Sequence, residues 1–137
     1  MRRLSFRAQS PLKSGWNGSG DGIVAVSSLE DGRVLYTESG QWITARGMKL
    51  NFTNVYRWTR LPECQRIRLE HLRFGKERPV HLFEIESAGK DEFKSVEPHV
   101  CSEDLYSATL RVDASRLLLN WRVIGPNTDN TIEYVYW

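Results

Sequence analysis

The sequence predicts an all-β protein: an antiparallel up-and-down barrel of about eight strands, with a short N-terminal helix at one end. Segments in which every second residue is apolar recur at even spacing, separated by turn residues, and helical periodicity is almost absent. The connections are too short for most crossings of a Greek-key sandwich, so segments adjacent in sequence are expected to pair. A closed sheet of this size accommodates side chains or one small ligand and leaves no strand edge exposed. All 137 residues are expected to form a single domain, 1–137, with 1–12 as an N-terminal extension or cap.

In that extension, Leu4, Ala8 and Leu12 line one side of the expected helix. Residues 15–22, "GWNGSGDG", place four glycines in eight positions. No Gly-Lys-Ser/Thr ending or GxGxxG spacing accompanies them, and the β-branched "IVAVSS" follows, which argues against a phosphate-binding loop and for a strand. Extended chain puts Trp16, Gly18, Gly20, Gly22, Val24 and Val26 on one face, and Asn17, Ser19 and Asp21 on the other. The bare glycine positions predict a strongly curved first strand with room beneath it. "RVLYTESGQWIT" follows a tight-hairpin signal at Asp31-Gly32. In "KLNFTNVYRWTRL", Leu50, Phe52, Tyr56 and Trp58 share a face, and the segment stops at Pro62. "QRIRLEHLRF" ends at Gly75 and is followed by "PVHLFEIES", whereas "GKDEFKSVEP" reads as a polar connection or a short edge strand. "DLYSATLRVD", "RLLLNWRVIG" and "NTIEYVYW" complete the meander, with Leu117, Leu119, Trp121 and Val123 on one face. Ile132, Tyr134 and Tyr136 likewise share a face.

A content of 40% hydrophobic and 26% charged residues is that of an ordinary globular protein. No apolar run is long enough to span a bilayer as a helix, and "MRRLSFRAQSP" lacks the apolar core of a secretory signal, so a cytoplasmic protein without membrane partners is expected. The net charge of +2 is too small to imply nucleic acid, and the densest basic stretch, "RIRLEHLRFGKER", is interrupted by Glu70 and Glu77. Cys64 and Cys101 match no paired metal-ligand spacing, so free thiols and no metal are expected.

Chemistry-bearing residues concentrate in "PHVCSEDLY". His99 and Cys101 share one strand face, Asp104 and Tyr106 the other, so a bulge or turn between 101 and 104 is needed to unite them. Such a group can contact a ligand, hold zinc given further ligands, activate the thiol, or form a buried polar network. A second group is aromatic: Trp16, Tyr36, Tyr56, Trp58, Trp121 and Tyr134 all fall on expected inward positions. Glu38 shares the parity of Tyr36 and is therefore also inward, where a carboxylate must be paired or protonated. His99 or a tyrosine hydroxyl is its expected partner.

Four elements resemble a domain-of-unknown-function family of small lipocalin-like, or calycin, barrels. They are Tyr36-Thr-Glu38-Ser-Gly40, Tyr56-Arg-Trp58, the run from His99 to Tyr106, and Trp121-Arg-Val-Ile-Gly125-Pro126 followed by Tyr134. Two departures stand out: Asn127-Thr128 where a basic residue is typical, and Gly15 directly preceding Trp16 in place of Gly-x-Trp. The resemblance implies the barrel and a set of recurrent positions, without an established activity.

The expected function is binding of a small, partly apolar ligand by the aromatic walls together with Glu38, His99, Cys101, Asp104, Tyr106 and tyrosine hydroxyls. Haem held by His99 is a narrower variant without a distinctive motif, and the cofactor is unknown. The alternatives are an enzyme using Glu38, His99 or Cys101 in the same pocket, and an interaction module with a filled barrel. A homodimer is compatible with either.

Overall fold

A computed structural model describes residues 2–12, 15–97, 99–101 and 103–137; the side chains of His99 and Cys101 lie outside the described residues. Among the described residues eleven strands follow in chain order: β1 (Arg2–Gln9), β2 (Gly18–Ser28), β3 (Arg33–Thr44), β4 (Lys49–Leu61), β5 (Arg66–His71), β6 (Val80–Gly89), β7 (Glu92–Ser95), β8 (His99–Cys101), β9 (Asp104–Asp113), β10 (Arg116–Gly125) and β11 (Thr128–Tyr136). Each pairs antiparallel with its neighbours, and β1 meets β11, so the sheet closes into an up-and-down barrel. β7 and β8 lie end to end along β9 and act as one interrupted stave, giving ten staves.

The all-β barrel is as the alternation predicts, but with ten staves in place of about eight. The first addition is at the N-terminus. Residues 2–9 form β1, paired between β2 and β11, and the expected capping helix does not exist. Leu4 and Ala8 are four apart, which suits one helix face and equally one strand face; Phe6 between them points inward too and settles the choice. The second addition is β7, the short strand offered as one reading of "GKDEFKSVEP", which is laddered to both β6 and β9 and so is not at an edge.

Alternation sets the interior. Leu117, Leu119, Trp121 and Val123 of β10 face Tyr136, Tyr134, Ile132 and Asn130 of β11 across the register. The Asp31-Gly32 hairpin forms as expected, in a short 3-10 turn with φ of 64° and 71° at those two residues. A bulge opposite Leu69 and Glu70 leaves Leu82 as the extra residue of β6, so Leu82 and Phe83 are both buried. Leu4, Val24, Leu69, Phe83, Ile85 and Leu119 are essentially inaccessible to solvent and form the floor of the interior.

The glycines on the inner face of β2 leave no empty strip. The ring of Phe6 lies where a Gly20 side chain would stand. Gly22 faces Gly40 of β3 so closely that a Cβ on either would overlap a neighbouring carbonyl oxygen. The bare backbone permits close approach of two strands and is covered by aromatic rings.

Candidate functional site

One end of the barrel holds a cavity of about 360 Å³. It lies where β1, β3, β5 and β10 finish and where β4, β6, β9 and β11 begin. Phe6 is at the centre of its wall, 5.4 Å from the Phe52 ring, 5.3 Å from Tyr134 and 6.4 Å from Trp42. Trp121 forms another wall, 6.1 Å from Tyr56 and edge-on to Phe83 at 5.2 Å. These offset and edge contacts are the geometry aromatic quadrupoles favour, so the walls hold one another in place. Gly20→Leu is expected to push Phe6 into this space and weaken uptake of an apolar fluorescent probe, which a titration would read.

Polar groups enter at defined points. His71 stacks on Tyr56 at 4.8 Å, and burial together with the nearby Arg73 guanidinium lowers its imidazole pKa. It therefore favours the neutral form, which can both donate and accept a hydrogen bond. Asn54 also lines the cavity and donates from Nδ2 to Glu38 Oε1 at 3.4 Å, which leaves its carbonyl oxygen available as an acceptor. Arg73 stands at the opening, its guanidinium 5.0 Å from the Phe74 ring centre. The segment before β2 is fastened over the rim: Trp16 N–H donates to Asn130 Oδ1 at 3.0 Å, and Ser10 N–H to Asn17 Oδ1 at 3.0 Å.

Beneath the cavity a polar septum crosses the barrel. Glu38 is fully buried, with Oε2 accepting a 2.6 Å hydrogen bond from the Tyr136 hydroxyl. Tyr134 stacks on Tyr136 at 5.7 Å, and its hydroxyl interacts with that of Tyr56. Burial raises the Glu38 carboxyl pKa, opposed by the hydrogen bonds from Tyr136 and Asn54. Burial likewise raises the pKa of Tyr56, Tyr134 and Tyr136, reinforced by the neighbouring Glu38 carboxylate.

These shifts have consequences of definite sign. A carboxyl whose folded pKa is raised contributes its full stability below its ordinary value of 4.5 and loses it as pH rises through the folded value. Glu38→Gln is therefore expected to gain on the wild type as pH rises from acid to neutral, read as a urea midpoint of the variant minus that of the wild type that increases with pH. A constant difference would show that Glu38 titrates alike in both states. His71 acts in the opposite sense: its contribution is present above 6.5 and is lost as pH falls. Comparing the Glu38 pair removes its effect.

The structure separates the residues the sequence singles out. Tyr56, Tyr106, Trp121 and Tyr134 line the cavity. Trp16 lines it too, but from a loop and half-exposed, not from an inward strand position, because β2 begins at Gly18. Glu38 is inward as parity requires and its partner is a tyrosine hydroxyl, yet it lies behind Asn54 in the septum. Tyr36 faces the opposite end of the barrel and packs on Trp58 at 5.9 Å, so neither shares the first cavity. The hairpin register places His99 opposite Tyr106 and Cys101 opposite Asp104, while the His99 and Cys101 side chains remain outside the described residues. Asp104 approaches Gly125, where it fills the space of an absent Cβ.

Phe6, Trp42, Phe52, Asn54, His71 and Arg73 also line the cavity and are not among the site residues the sequence singles out. Phe52 and Asn54 share the parity of Tyr56, and that signal was sufficient to find them. Asn130 carries no comparable mark; its role depends on the loop that folds over it.

Residues 5–137 match the sequence model of a family described as "Family of unknown function (DUF6314)". No curated protein and no solved structure matches the chain.

Proposed function

We propose that this chain, which belongs to the DUF6314 family of unknown function, is a binding protein that holds a small, partly apolar molecule in the cavity lined by Phe6, Trp42 and Trp121. The observation that carries this reading is the composition of that cavity: about 360 Å³ of space, aromatic rings on several sides, and His71, Asn54 and the Tyr56 and Tyr134 hydroxyls among them. Apolar walls supply the driving force, and a few convergent polar groups select orientation. Trp16 and Tyr106 contact the ligand near the mouth, and Arg73 favours a ligand whose outer end is polar or anionic. The protein acts in the manner of lipocalin-like carriers, in the cytoplasm, with its charged outer face toward solvent. Glu38, the carboxyl among the candidate acids, is enclosed behind Asn54 and Tyr136, which leaves the polar contacts of this pocket to His71, Asn54 and the tyrosines.

Native mass spectrometry of freshly purified protein is expected to show a co-purifying small molecule. Anilinonaphthalene sulfonate is expected to bind saturably and to be weakened about tenfold by Trp121→Ala, through loss of one wall. An apo mass together with non-saturable probe uptake would overturn the reading.

A further inference from the structure

The opposite end of the barrel is also hollow. A second cavity of about 400 Å³ opens between the end of β2, the start of β3 and the turn joining β9 to β10. The septum of Glu38, Tyr136, Tyr134 and Tyr56 lies between this cavity and the first. Its walls are Val24, Val26, Val112 and Leu117, and its inner end is formed by the edge-on rings of Tyr36 and Tyr136, 5.4 Å apart.

We propose that this end is a second, independent binding site, for an organic carboxylate with a short apolar body. Two guanidinium groups, those of Arg2 and Arg116, stand at the cavity. Arg2 occupies an inward register position opposite Val24 and is close enough to Tyr36 to oppose, electrostatically, the effect of burial on its hydroxyl. Arg116 holds Asp113 through Nη2 at 3.4 Å, leaving its other N–H groups to a ligand. The charged residues lining this cavity are Arg2 and Arg116, both cationic. The Tyr136 hydroxyl is committed to Glu38, so the hydroxyls this cavity offers are those of Tyr36, at its inner end, and Ser115. Guanidinium and phenol donors above valine and leucine walls match a carboxylate head on a hydrocarbon body.

The valines make the two ends distinguishable, since Val24, Val26 and Val112 line this cavity whereas Val80 and Val123 line the first. In methyl-labelled protein, titration with octanoate is expected to shift the Val24, Val26 and Val112 signals saturably. Octanol, which lacks the charge, is expected to do so at least about tenfold more weakly. The paired substitution Arg2→Gln and Arg116→Gln should weaken octanoate by a similar factor while leaving anilinonaphthalene sulfonate uptake at the other end unchanged. Shifts confined to Val80 and Val123, equal binding of octanol, or an unaffected double variant would each overturn the proposal. The first of these outcomes would place octanoate in the first cavity and so support that site, whereas the other two leave the reading of the first cavity untouched.

Discussion

Phe83→Ala is expected to destabilise the barrel by about 3–5 kcal/mol and to lower Tm by about 10 °C or more. Phe83 is wholly inaccessible to solvent, sits edge-on to Trp121 at 5.2 Å, and faces Leu69 across the ladder. The bulge that buries both Leu82 and Phe83 fixes the backbone at this point, so the surrounding residues have little freedom to collapse into the space left behind. Phe74→Ala provides the comparison. That ring is 60% exposed, carries Arg73 and Arg78 on its face, and should cost no more than about 1 kcal/mol. Thermal denaturation of both variants checks the assignment; equal losses would show that Phe83 is not in the core.

Gly40→Ala is expected to cost about 3 kcal/mol or more, although it adds a single methyl group. The new Cβ would overlap the Asp21 carbonyl oxygen and lie 2.7 Å from Gly22 Cα and 2.9 Å from the Phe52 ring. Two of those obstacles are backbone of the adjacent strand, and a Cβ has no rotamer by which to avoid them. Gly47→Ala adds the same methyl group where nothing lies within 4 Å, at φ of 82°. Its cost is conformational and should be about 1 kcal/mol. Urea denaturation that ranks Gly47 above Gly40 would contradict the close approach of β2 and β3.

Much of the fold was legible in the sequence because an amphipathic strand records its own orientation. The inward positions of Glu38, Tyr56 and Trp121 followed from parity, and parity also identified a tyrosine hydroxyl among the possible partners of Glu38. β1 was obscured by arginines on both of its faces and by a spacing of four shared between helix and strand. β7 contains one apolar ring, Phe93, and is held by ladder bonds to two neighbours rather than by its own composition. The site was less legible. Parity separates inside from outside but carries no information about height along the barrel, so Tyr36 and Trp58 were grouped with side chains that belong to the other end. His71 shares the face of Leu69, but it lies in the densest basic stretch of the chain, where charges on both sides obscure the inward pattern. The volume assigned to the glycine strip was taken by Phe6, from a strand the alternation had not revealed.

The pairing of β1 with β11 also constrains how the chain reaches its native state. Arg3 and Trp137 exchange backbone hydrogen bonds across nearly the full length of the sequence. During synthesis the first strand therefore has one natural neighbour early and must wait for the last strand to supply the other. Such distant pairing slows folding and leaves a strand edge open to adhesion in the interval. Slow, concentration-sensitive refolding from urea is the behaviour to expect of this closure.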